Sequence, residues 1–120
     1  MPAFNYSAFH AMNLERSTNS AGFNHPIDSW SLSDWAVALS GEVGEACNIV
    51  KKMKRIESGI ANLDGGRTMR DYHSMLAMEL ADVFIYLDLL AERAGIDLPK
   101  VVIDKFNATS IKRNCPQYML

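Results

Sequence analysis

Two pairs of acidic residues stand where a helix has little use for charge. Glu42 and Glu45, and later Glu79 and Asp82, are each spaced i, i+3, which sets both side chains of a pair on neighbouring turns of one helical face. Glu79 and Asp82 interrupt a seam of Tyr72, Met75, Glu79, Asp82, Tyr86, Leu89 and Arg93 that alternates by three and four residues and so forms a continuous stripe. Glu42 lies at the edge of an apolar stripe of its own helix and Glu45 about 60° further out, at about 100° per residue. Like charges at this spacing repel, and partly buried carboxylates are costly without a compensating cation. Two pairs on facing helices gather four acids around one point. Such a set suits a hard divalent cation, Mg²⁺ or Mn²⁺, which prefers carboxylate and water oxygens. Glycines 41 and 44 flank the first pair, although glycine disfavours a helix interior by roughly 1 kcal/mol each. Without side chains there, a substrate or another helix could come close.

Other site chemistries find little support. His10, His25 and His73 form neither an i, i+4 pair nor an H-E-x-x-H pattern, which argues against zinc. No E-x-x-H is present, against a ferritin-like di-iron bundle. Neither a P-loop nor a G-x-G-x-x-G occurs, and no nucleophile has a base beside it. Cys47 and Cys115 match no C-x-x-C pattern; Cys47 reads as a small core residue and the pair as thiols of a reducing cytoplasm.

The elements that must position the acids are helical. Residues 4–16 read as a modest first helix, followed by a loop containing Pro26. Ser31-Leu32-Ser33-Asp34 resembles a capping box and opens a second helix. Its expected core stripe is Leu32, Ala36, Leu39, Val43, Ala46, Val50 and Met53. It closes on Lys51, Lys52, Lys54 and Arg55, charges that suit a helix C-terminus. Residues 58–67, with three glycines, are a loop. A third helix runs from about Thr68 to Ala94 with Gly95 as its stop; its apolar stripe is Leu76, Leu80, Val83, Leu87, Leu90 and Ala94. Asp97 caps a fourth helix with Pro99 in its first turn, ending near Lys112, and the tail is irregular. The 120 residues, 48% of them hydrophobic, suffice for one all-α domain. A net charge of −2 offers no basic field for nucleic acid, and no apolar run approaches the roughly 20 residues that span a bilayer. The N-terminus shows no basic region followed by an apolar stretch, so no secretory signal is expected. Between Leu80 and Ala91 apolar residues occupy nearly every side of the third helix, more than three short partners can cover. That predicts a homodimer or a dimer of dimers.

E-x-x-E followed by E-x-x-D on successive helices resembles the MazG-type all-α nucleotide pyrophosphohydrolases. The similarity runs through residues 39–46 and 79–87, Gly95 to Pro99, and Lys105-Phe106-Asn107. It spans about residues 30–116 and is particularly near the dCTP pyrophosphatase branch in the second and third helices. The resemblance implies a four-helix bundle completed by oligomerisation. It also implies Mg²⁺-dependent hydrolysis of a nucleoside triphosphate, dCTP or a modified nucleotide among the candidates, to the monophosphate and pyrophosphate. Glu42, Glu45, Glu79 and Asp82 would be the metal ligands. Glu45, the most exposed, would double as the base that takes a proton from water. Lys105 and Asn107 would contact substrate. Trp35, about 10.5 Å before Glu42 on the same face at 1.5 Å per residue, either stacks on the base or belongs to the core; Phe23, His25 and Trp30 are further stacking candidates. Tyr86 either lines the pocket or is core. One departure is the spacer: residues 46–78, 33 in all, exceed the family's usual length, and the 58–67 loop can absorb the excess. The alternative reading is a non-catalytic helical interaction module that keeps the bundle without the chemistry.

Overall fold

A computed structural model describes residues 3–60 and 64–120. Among them the chain is all-helical and without strands: α1 (Tyr6–Thr18), α2 (Leu32–Glu57), α3 (Met69–Arg93) and α4 (Leu98–Arg113), with short 3₁₀ turns at Ile27–Ser29 and Asp64–Gly66. The helices begin where side chains satisfy their first amides. Ser31 and Asp34 form the expected capping box. Thr68 and Asp71 form a second one at the start of α3, from the same spacing in Thr68-Met69-Arg70-Asp71. Asp97 accepts the Lys100 amide. α3 stops at Gly95, whose φ of +70° lets the amides of Gly95 and Ile96 turn back onto Glu92 and Ala91, a conformation that side chains disfavour.

The main packing is α2 against α3, through faces rotated from those expected. On α2, Trp35, Ala46 and Ile49 are buried, while Leu32, Ala36, Val43 and Val50 of the expected core stripe face solvent. On α3 it is the acid-bearing seam that packs: Tyr72 and Leu89 are buried, with Met75, Glu79, Asp82, Tyr86 and Arg93 half-buried. Leu80 and Leu87 from the wholly apolar stripe are exposed, Leu80 by 55%. Both helices carry apolar residues around most of their circumference, so periodicity alone does not say which face turns inward. The large aromatics Trp35 and Tyr72, each 1% exposed, decide it because they bury the most area. Cys47 is exposed rather than core, one position beyond the buried Ala46.

α1 docks on α3 through a polar anchor. Asp88, 0% exposed, accepts hydrogen bonds from the Tyr6 hydroxyl and, at 2.9 Å, from the Asn13 amide; His10 Nδ1 lies 2.8 Å from it. Spacings of four and three set these partners on one face of α1. A buried carboxylate is tolerable only with such a complete set. Phe4 and Phe9 pack their rings on Phe84 beside it.

Among the described residues α4 makes no comparably extensive contact with the other helices. The Asn107 amide instead clasps the tail, giving and accepting hydrogen bonds with the main chain of Met119. The radius of gyration is 18.0 Å, against about 14 Å for a compact domain of this length.

Removing the anchor leaves three polar groups facing a hole, so Asp88→Ala is expected to lower unfolding free energy by about 3 kcal/mol. Asp104, in an exposed i, i+4 pair with Lys100, serves as the control. Urea denaturation should show a large shift for the first variant and none for Asp104→Ala; equal midpoints would overturn the assignment of Asp88.

Candidate metal centre

The α2–α3 seam brings the acids together. Carboxylate oxygens of Glu42, Glu45 and Glu79 lie within 4.8 Å of one another. Asp82 lines the same cavity as Glu42, and its charge acts on both Glu42 and Glu79. Glu42 is half-buried because it follows Trp35 by two turns on the packed face of α2, whereas Glu45 is exposed.

One oxygen each of Glu42 and Glu79 is buried and accepts no hydrogen bond, which is rare for so polar an atom. Desolvation pushes the Glu42 carboxyl above the ordinary glutamate range, and the charges of Glu45, Asp82 and Glu79 push it further. Glu79 is raised in the same way, first by desolvation, then by Glu45 and Asp82. The charges acting on the two are all carboxylates. Orphaned oxygens, mutual repulsion and an all-oxygen donor set fit a hard divalent cation. With metal–oxygen distances of about 2.1 Å, opposite ligand oxygens stand about 4.2 Å apart, so small side-chain rotations would bring the three acids onto one ion.

Beside the acids opens a cavity of about 350 Å³. His25, Trp30, Trp35 and Tyr86 form much of its wall, with centroids 4.2 Å apart for His25–Trp30 and 4.7 Å for Trp30–Trp35. Trp35 is therefore both core and wall. Its indole Nε1 donates to the Ile27 carbonyl at 2.8 Å, and Arg93 Nε donates to the Trp30 carbonyl at 2.8 Å, which fixes the aromatic loop against α3. Trp35, Tyr86, Glu42 and Asp82 thus meet at one cavity. Lys105 and Asn107 do not join them: both lie on α4, Lys105 at a separate groove and Asn107 on the tail. A Cβ at Gly41 or Gly44 would meet nothing within 4 Å, so no neighbour among the described residues requires glycine there.

Asn13, Arg16 and Ser17 of α1 also line the cavity, and the motifs on α2 and α3 give no hint of them. A signal existed. Tyr6, His10, Asn13 and Ser17 form a polar stripe at helical spacing, and Asp88 stands inside Leu87-Asp88-Leu89-Leu90, as anomalous as Glu79 and Asp82.

No protein-family model matches the chain, and no curated protein and no solved structure matches it.

Raised carboxyls mean that folding favours their protonated forms. That contribution is fully present below the ordinary glutamate range and is lost as pH rises through the raised values. Asp34 and Asp71, lowered by their capping bonds, weaken the fold only below the ordinary aspartate range. Without divalent ions the protein should therefore melt higher at about pH 5 than at about pH 7. Glu42→Gln should raise the pH 7 melting temperature, and MgCl₂ should raise that of the wild type but not of the variant. A wild-type melting curve indifferent to Mg²⁺ and Mn²⁺ counts against the centre.

Proposed function

We propose that this chain is a Mg²⁺-dependent nucleoside triphosphate pyrophosphohydrolase of the MazG-like kind, with Mn²⁺ able to substitute. The observation that carries the reading is the convergence of Glu42, Glu45 and Glu79, two of them with orphaned buried oxygens, with Asp82 beside them at an aromatic cavity whose volume falls in the range of small-molecule sites. Glu42, Glu45 and Glu79 would hold the ion, with Asp82 beside them at the cavity completing the set. When bound, the metal neutralises phosphate charge and makes a water more acidic.

The chain's own residues supply the rest. Glu45, the exposed member of the cluster, takes the proton of the attacking water on a carboxylate oxygen. The water oxygen bonds to the α-phosphorus as the bond to the α–β bridging oxygen breaks, and pyrophosphate leaves. Tyr86, half-buried in the cavity wall, holds the base against its ring, while Trp35, 1% exposed and covered by His25 and Trp30, backs that wall from the core. The catalytic gain is mainly positioning and charge stabilisation. The MazG-type motifs around the acids favour this reaction over other metal-assisted hydrolyses.

Oligomerisation belongs to the same reading. Val43 and Val50 are exposed one above the other on α2, Leu80 and Leu87 likewise on α3, and α4 exposes Val101, Val102 and Phe106. Single exposed apolar residues are ordinary, but so many on three helices of a small domain point to an interface. A homodimer or dimer of dimers would cover them and bring Lys105 of a second copy toward substrate phosphates.

Pyrophosphate release is expected from at least one common or modified nucleoside triphosphate, only with Mg²⁺ or Mn²⁺. Glu42→Gln and Asp82→Asn should each abolish it while the far-UV CD spectrum stays helical. Full activity in both variants, or no release from any nucleotide, defeats the proposal. Light scattering at micromolar concentration should report a dimer or tetramer, and Leu80→Asp should shift it toward monomer; a monomeric wild type contradicts the assembly.

A further inference from the structure

The segment between α1 and α2 runs along one side of the cavity and supplies Phe23, His25 and Trp30 to its wall. Neither the His25 ring nor the Trp30 ring makes a hydrogen bond among the described residues. Their places are therefore set by the main chain that carries them and by ring contacts, His25 edge-on to Trp30 at 4.2 Å and stacked on Trp35 at 5.3 Å. That main chain is fastened through its carbonyls by side chains from three helices. Ser17 of α1 donates its hydroxyl to the His25 carbonyl, Trp35 of α2 its indole N–H to that of Ile27, and Arg93 of α3 its Nε–H to that of Trp30, each at 2.8 Å. Ser17 is 3% exposed, and its own carbonyl accepts the His25 amide. Upstream, the Phe23 amide donates to the Arg16 carbonyl at 2.8 Å. The approach there is so close that a Cβ at Gly22 would stand 2.2 Å from that carbonyl oxygen, so only glycine fits without moving the loop.

Resting on the nucleotide reading above, we infer that Ser17 and Arg93 are positioning residues for the substrate: both act through the loop, fixing the wall that His25 and Trp30 present to the base. A surface connection is ordinarily the mobile part of a fold. Donors from three separate helices make this one a fixed part of the cavity, and a site ordered beforehand loses less on binding. Removing one donor leaves a carbonyl unpaired and one end of the wall free to shift. The loss falls on binding rather than on the chemical step, because the clustered acids stand on α2 and α3 and do not depend on the loop. The two attachments are also divided between elements. α1 holds the His25 end and is itself anchored through Asp88, whereas α3 holds the Trp30 end directly. The wall is therefore in place only when α1 and α2 are both docked on α3.

The test measures KM and kcat for pyrophosphate release from dATP, dCTP, dGTP and dTTP, and the Kd of the matching monophosphates by quenching of tryptophan fluorescence. Ser17→Ala and Arg93→Gln are each expected to raise KM and Kd by about three- to tenfold. Their kcat should stay within about twofold of the wild type, the split that marks lost binding rather than lost catalysis. Arg93→Lys, which keeps a donor, should stand nearer the wild type. Gly22→Ala, which removes no donor but displaces the loop, should weaken binding in the same way. The Mg²⁺-induced rise in melting temperature should persist in every variant. A merely structural role predicts the opposite split, with less folded protein, a lower apparent kcat and an unchanged KM. That result, or wild-type KM in both Ser17→Ala and Arg93→Gln, overturns this inference and leaves the hydrolase reading standing. Nucleotide binding without pyrophosphate release overturns the hydrolase reading, and the Kd values then decide the positioning role. Binding of none of these nucleotides overturns both.

Discussion

The seam between α2 and α3 has to bury enough apolar surface to hold two helices together while carrying carboxylates in the same register. Glu42 stands in line with Trp35, Ala46 and Ile49, and Glu79 and Asp82 stand between Tyr72 and Leu89. Side chains at these positions cannot all leave the interface, because helical spacing ties them to the residues that pack. Repulsion among the acids is thus built into the main contact of the fold. The flanking aromatic and aliphatic contacts outweigh it, and a bound cation would relieve it.

The second constraint is the attachment of α1. Its apolar contribution is small, a few aromatic rings about Phe84, and its position depends on hydrogen bonds to one buried carboxylate. Such networks are specific in direction as well as costly to break. The same bonds that hold α1 against α3 therefore also orient Asn13 at the cavity. Anchoring the helix and holding the Asn13 amide are one arrangement, with Asp88 as the shared partner.

Much of the local structure was legible in the residues. Ser31-x-x-Asp34, Asp97 with Pro99, and Gly95 act within a single turn, and each gave its helix end within a residue or two. The second box at Thr68 and Asp71 used the same chemistry. Two features were not legible, the turn at Ile27–Ser29 and the Asn107 clasp on Met119: the first is held by the Trp35 indole and the second joins positions twelve residues apart.

Sequence by itself determined that the chain is helical, where the helices begin and stop, and that Glu79 and Asp82 fall within an otherwise largely apolar seam. These follow from interactions within a turn and from periodicity on one helix. Only the tertiary structure decided which face of each helix turns inward, since both α2 and α3 are apolar around most of their circumference. It exposed the stripe of Val43 and Val50 and that of Leu80 and Leu87, buried the acid-bearing seam instead, and moved Cys47 to the surface. It also drew Asn13, Arg16 and Ser17 of α1 to the cavity, while Lys105 and Asn107 stayed apart on α4. The reason is that facing and docking depend on pairing between distant segments, where a few large aromatics and one buried Asp88 outweigh the average pattern.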